Sequence, residues 1–227
     1  MNKNKHLLFN IAMTVVCFLF ILCASIFLVL LLKPLYSLDM KLLKIPKTSG
    51  YSAEICRRNY SVLIDYNMFW GPKTLNFPDF VMSENGAVHF AEVKTIFVTA
   101  QITAILSGVL LAIGYMRAKQ IGCFGWLPGG IALTLAMVAV VGIGCAFFWE
   151  KTFVLMHHIL FRNDFWLFDP STDPVIMILP DQVFLHLGAA IMCFMVILMI
   201  IAWVVYRKNA GKRSGKSAGR KKTGRKS

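Results

Sequence analysis

The sequence predicts an all-α membrane core of four transmembrane helices, carrying a small extracytoplasmic cap of short strands and turns. Three observations lead there. The chain is 57% hydrophobic and only 15% charged, too apolar for a domain whose surface must be wetted. Four runs, 7–32, 95–116, 127–148 and 183–206, each exceed the roughly 20 residues that a helix needs to cross a bilayer. The long connection 33–94 is cut by turn signals into pieces too short to build an independent domain.

Four spans leave both termini on one side, and charge decides which side. The two ends and the turn 117–126 hold 14 basic residues and no acid, whereas the two opposite loops hold 10 basic residues and all 11 acids. Cytoplasmic flanks are rich in Lys and Arg, which places both termini in the cytoplasm and both long loops outside. Cys17, Cys23, Cys145 and Cys193 fall within spans and Cys123 in the cytoplasmic turn. Only Cys56 reaches the outer face, so no disulfide within the chain is expected there.

The first span follows Lys3 and Lys5 as a signal peptide would, but its length exceeds a cleavable core, so it reads as a retained anchor. Phe20-Ile21-Leu22 before Cys23 lacks the small residues of a lipid-attachment site. In 33–94, turns are expected at Lys33-Pro34, Gly50, Gly71-Pro72, Phe77-Pro78 and Asn85-Gly86, the last as a tight hairpin. The aromatics of this loop suit either an interfacial belt or a lipid-accepting cavity between cap and helices, with Trp70 and Phe90 as candidate lining residues.

His89 precedes the second span by six residues, about 9 Å along a helix, and so lies near the membrane interface. Glu92 follows it by three positions, close enough on a helix to orient or charge-balance the imidazole. The second and third spans form a tight helical hairpin whose glycines serve packing. After the third span, 149–162 has no Gly or Pro, and a helix is expected to run on or dip along the interface until Asn163-Asp164. Pro170, Pro174 and Pro180 then keep the chain extended. Neighbouring helical residues point about 100° apart, so only one of His157 and His158 can enter a given pocket. His186 and His6 are explained as snorkelling residues at the ends of spans. The tail 207–227, with ten basic residues and nothing to pack, is expected to be disordered against anionic head groups rather than to bind nucleic acid.

No Gly-x-Ser-x-Gly elbow, Walker loop, His-Glu-x-x-His or paired Cys-x-x-Cys occurs, and no motif calls for a cofactor. What remains is His89 on one outer loop and the His157-His158 pair on the other. An ionisable residue held next to lipid is costly and usually functional, and two imidazoles suit proton shuttling near neutral pH. A zinc site of His89, His157 and an acid such as Asp164 is the weaker alternative, because no metal-ligand spacing is visible.

These residues carry a resemblance. Val88-His89-Phe90 before the second span and His157-His158-Ile159-Leu160-Phe161 resemble the bacterial lipoprotein intramolecular transacylases, as do Asn163-Asp164, Trp166-Leu167-Phe168, the Asp169-Pro170 to Asp173 turn and Pro180. That family consists of four-helix membrane proteins with an extracytoplasmic cap. The likeness covers most of the chain apart from the basic tail, and Arg162 departs from it where another aromatic is expected. It implies two catalytic histidines at the boundary of cap and membrane, matched here by His89 and, from the His-x-x-x-Phe spacing to Phe161, His157. His158, Glu92 and Asp164 would be supporting residues, with Trp70, Phe90, Phe161 and Trp166 around the substrate.

The implied substrate is a diacylglyceryl-cysteine lipoprotein with a free α-amine, whose sn-2 acyl chain moves onto that amine at the outer face of the cell membrane. Nucleophile and ester belong to one molecule, so no enzyme nucleophile is required. One histidine would deprotonate the amine and the other protonate the leaving glyceryl oxygen. Two other classes compete with this reading: a non-catalytic envelope adaptor or assembly protein, and a metal-dependent membrane hydrolase.

Overall fold

The computed structural model describes residues 3–223, with side chains described for residues 6–210. Eight α-helices occur among them: α1 (Lys3–Leu30), α2 (Lys33–Leu42), α3 (Ile45–Ser49), α4 (Ala53–Tyr66), α5 (Glu84–Ile121), α6 (Trp126–Phe147), α7 (Trp149–Leu160) and α8 (Asp181–Thr223). A 3-10 turn, Pro174–Ile178, precedes the last. Four helices are long and apolar enough to cross a membrane: α1, α5, α6 and α8. The part of the tail from residue 211 onward lies outside the described side chains.

The spans pack through small residues, since apolar surface gains little by leaving lipid and close backbone approach must supply the attraction. Gly108 faces Phe20 across the antiparallel α1–α5 contact. A side chain at Gly130 of α6 would lie 2.7 Å from the Cys17 sulfur. The cap-side end of α5 does not stop with its neighbours. Its 38 residues make about 57 Å of helix, far beyond the ~30 Å of a hydrocarbon core, and the surplus at its N-terminus becomes part of the cap.

The cap differs from the expected strands and turns: no strand occurs among the described residues. The reasons are local. Pro34 and Pro46 stand in the first turns of α2 and α3, where the missing N–H costs nothing and the fixed φ favours a helix. Ser52 caps α4 by accepting from the Ile55 N–H at 3.2 Å. Cys56, Tyr60, Leu63 and Ile64, spaced for one helical face, are then buried. The predicted hairpin at Asn85-Gly86 is likewise the first turn of α5, capped by Ser83 Oγ, which accepts from the Gly86 N–H at 2.9 Å. Gly86 is needed for space: a Cβ there would run into the Asp173 carboxylate. The segment 174–178, expected to be extended, instead forms the 3-10 turn under the cap.

Between α4 and α5 the chain dips back toward the spans and is held by Gln101 of α5, fully buried. Its amide donates to the Asn67 carbonyl at 2.8 Å, and its oxygen accepts from the Phe69 N–H at 3.1 Å. The cap core stacks Tyr36 on Tyr60 at 3.9 Å, and the Tyr36 hydroxyl donates to the Ile178 carbonyl at 2.8 Å. His186 does more than snorkel: its Nδ1 lies 2.6 Å from Asp39 Oδ1, and Asp39 is 1% exposed, so the pair straps α2 of the cap to α8.

Candidate active site

Three elements build the site. α5 brings His89 in its second turn, α7 brings His157 in its last, and the segment after α7 folds back across both. Asp173 joins them: buried, it accepts from the Ser83 N–H at 2.8 Å, which clips that returning segment to the start of α5. Helix α6 ends at Phe147, and α7 starts at Trp149 after a break at Phe148. Leu155 and Ile159 stand 59% and 72% exposed on the outside of α7, an apolar face suited to the bilayer interface. One residue on the opposite face of α7 is buried, and it is His157.

His89 and His157 are both buried, at 5% and 8% exposure, with ring centroids 6.2 Å apart and planes inclined by 29°. Phe161 touches both, at 4.7 Å from His89 and 5.7 Å from His157. Trp166 lies along His157 at 4.4 Å, Phe153 contacts it at 4.3 Å, and Phe168 contacts His89 at 5.4 Å. The imidazoles thus sit side by side in an aromatic enclosure.

The tautomer of His157 follows from its one hydrogen bond. Nδ1 is 2.8 Å from the Phe153 carbonyl; a carbonyl can only accept, so Nδ1 carries the proton and the neutral ring has its lone pair on Nε2. Burial pushes the His157 imidazole below the ordinary histidine value. The Phe153 carbonyl acts in the opposite sense, and the charge of His158 adds to the lowering. Nδ1 of His89 is buried with no hydrogen-bond partner. The Trp166 indole nitrogen is in the same condition.

The remaining candidates separate. His158 points out, as the helical angle requires, and meets Trp166 edge-on at 5.8 Å. Glu92 does not reach an imidazole: Oε1 accepts from Asn163 Nδ2 at 3.0 Å, and Oε2 is buried without a partner. Asp164 is exposed and enters through its backbone carbonyl, which accepts from the Leu167 N–H at 3.0 Å. Phe90 stacks on Phe168 at 5.3 Å and lies 5.9 Å from His89, between the pair and the cap core. Trp70 is not brought to the histidines; it is 60% exposed and packs on Phe27 and Phe69. No group of three His, Cys, Asp or Glu converges as a metal ligand set among the described residues. Phe153 was not singled out from the sequence, and Phe168 and Asn163 entered only as part of the resemblance, not as site residues. Phe153 could have been found, since it lies one helical turn before His157; the other two arrive only through the fold of 161–173.

Four apolar spans and a buried imidazole pair enclosed by aromatics, where the spans meet the cap, define a polytopic membrane protein with a histidine pair at that junction. The comparisons with known proteins agree. A family model for the lipoprotein intramolecular transacylase Lit matches residues 11–184, and the chain belongs to that family of acyltransferases. The structure of the membrane integral lipoprotein intramolecular transacylase Lit from Bacillus cereus superposes with a TM-score of 0.90 at 30% identity, covering 94% of this chain and 99% of that one. Two structures of the Bacillus cereus protein in which a histidine is replaced, by arginine and by alanine, give TM-scores of 0.83 and 0.82 at 30% identity. They cover 94% and 93% of this chain and 95% and 96% of theirs. A search of curated proteins returned no match.

Proposed function

We propose that this enzyme moves the sn-2 acyl chain of a diacylglyceryl-cysteine lipoprotein onto the α-amine of the same cysteine, leaving a lyso-glyceryl product. The observation that carries the mechanism is the pair of buried imidazoles 6.2 Å apart, one with a defined tautomer. His157 Nε2 is the base. It takes a proton from the amine as the N–C bond to the acyl carbon forms. The ester C–O bond then breaks, and His89 delivers a proton to the departing glyceryl oxygen. For a neutral amine, one proton leaves nitrogen to His157 and one reaches oxygen from His89, and return of the proton from His157 to His89 resets the pair, so the transfer balances without a co-reactant.

Each positioned proton transfer contributes about 10² to 10⁴ in rate. Bringing amine and ester together is worth more, with effective molarities of about 10⁵ to 10⁸ M in well-oriented cases. Phe161, Trp166, Phe153 and Phe168 provide the confinement, because rigid rings hold a flexible glyceryl chain at little entropic cost. The reaction lies on the outer face of the cell membrane with both termini cytoplasmic. This orientation is supported by the 14 basic residues and no acid on the terminal side.

The test is mass spectrometry of a model diacyl lipopeptide before and after incubation with purified enzyme, locating each chain by fragmentation. One chain should appear on nitrogen and one remain on glyceryl. His89→Asn and His157→Asn should each suppress that product while the protein still inserts; an active double variant would overturn the mechanism.

A further inference from the structure

Glu92 of α5 is tied by its carboxylate to the segment that folds back over the histidine pair. It stands three residues after His89 and so shares its helix face. Its setting is organised in three steps. Asn163 Oδ1 accepts from the Phe165 N–H at 3.1 Å, closing a turn that fixes the amide. Asn163 Nδ2 then donates to Glu92 Oε1 at 3.0 Å. Held by one oxygen, the carboxylate presents the other, Oε2, buried and without any partner. Asp39 also keeps an orphan oxygen, but its first oxygen meets the His186 imidazole, a group able to carry positive charge. The partner of Glu92 is a neutral amide, and no ion pair to it occurs among the described residues. A carboxylate oxygen buried without a partner is costly, and an open anionic acceptor three residues from His89 suits a cationic ligand.

We propose that Glu92 holds the α-ammonium of the lipoprotein substrate, making it the residue that selects a free N-terminus over an acylated one. The proposal rests on the transacylase reading and adds the means by which the amine is recognised and aimed. The fit is chemical: an ammonium offers donors and a positive charge where Oε2 has an open acceptor and a negative one, three residues along from a catalytic imidazole. An N-acylated terminus offers a neutral amide and would leave the carboxylate unpaired. Because the bound ammonium must release a proton to solvent before the neutral amine attacks, the contact favours bound substrate over the transition state. Its loss therefore falls on KM more than on kcat.

The probes are a dialkylglyceryl ether lipopeptide, which cannot transfer a chain, and its N-acetylated form. Wild-type enzyme should bind the free-amine ether more tightly by on the order of 10- to 100-fold. In Glu92→Gln, which keeps an oxygen for Asn163, that preference should collapse toward one, with the N-acetylated probe bound as before. On the ester substrate the same variant should raise KM by a like factor and leave kcat within about threefold. Equal weakening of both probes would mean a structural role and overturn the proposal, as would an undiminished preference in the variant or none in the wild type. Failure of the wild type to form the lyso product from the ester is a separate outcome that strikes the transacylase reading, whatever the ether probes show.

Discussion

Two histidine arrangements stand at the cap's contact with the spans, one partly exposed and one buried, and they are built on opposite principles. His186 is engaged by Asp39 at 2.6 Å, so one nitrogen is committed to a carboxylate that straps cap to helix. His89 and His157 have no carboxylate hydrogen-bond partner among the described residues; rings surround them, and the one fixed bond, to the Phe153 carbonyl, leaves Nε2 open. An imidazole committed to a buried carboxylate holds structure together. One left unsaturated in a closed apolar pocket is available to a substrate.

The largest break in this contrast is removal of a pocket imidazole. His157→Asn or His89→Asn should lower kcat/KM by about 10² to 10⁴ with little change in melting temperature, measured side by side on detergent-purified protein. His186→Leu should do the reverse, leaving Asp39 without its donor. We expect a loss of about 1–3 kcal/mol in cap stability, read as a lower melting temperature, while the folded enzyme retains wild-type kcat/KM. Gly86→Ala joins the two cases, since its Cβ meets Asp173 where α5 is clipped to the returning segment. An overpacking cost of about 1–3 kcal/mol should come with a partial fall in activity, because the turn that moves carries His89.

The smallest effect sharpens the role of His157. A base works in its neutral form, and burial lowers the His157 pKa, so its acidic limb should lie below the usual histidine range, apart from the limb of the substrate amine, whose reference value is about 7.7–8.0. His158 contributes to that lowering. His158→Gln should therefore move the His157 limb of the kcat/KM profile toward higher pH, with the plateau unchanged. A shift toward lower pH would mean that the limb belongs to another group.

The spans were legible because uninterrupted apolar runs leave the chain few alternatives in lipid. The cap was read less well. Pro34, Pro46 and Asn85-Gly86 are turn signals taken alone, yet each stands in the first turn of a helix, and Ser52 and Ser83 provide the caps that show it. Periodic burial of Cys56, Tyr60, Leu63 and Ile64 was visible too, but it was masked by the density of Gly and Pro around it. In the site, His89, His157, Phe161 and Trp166 could be named from the sequence. Trp70 could not be separated from them, since an aromatic at the interface looks the same whether it lines a pocket or faces lipid.

By itself the sequence determined the four spans, which depend on apolar length, and it supplied expectations for their orientation from charge and for the histidines from local spacing. Only the tertiary structure decided that the histidines meet, that His157 rather than His158 turns inward, and that Glu92 turns to Asn163 instead of an imidazole. Those outcomes join residues about 70 positions apart. They are set by how α7 breaks from α6 at Phe148 and how Asp173 clips the segment after α7 to the start of α5. Such long-range closures depend on which buried polar groups find partners, and local pattern does not carry that information.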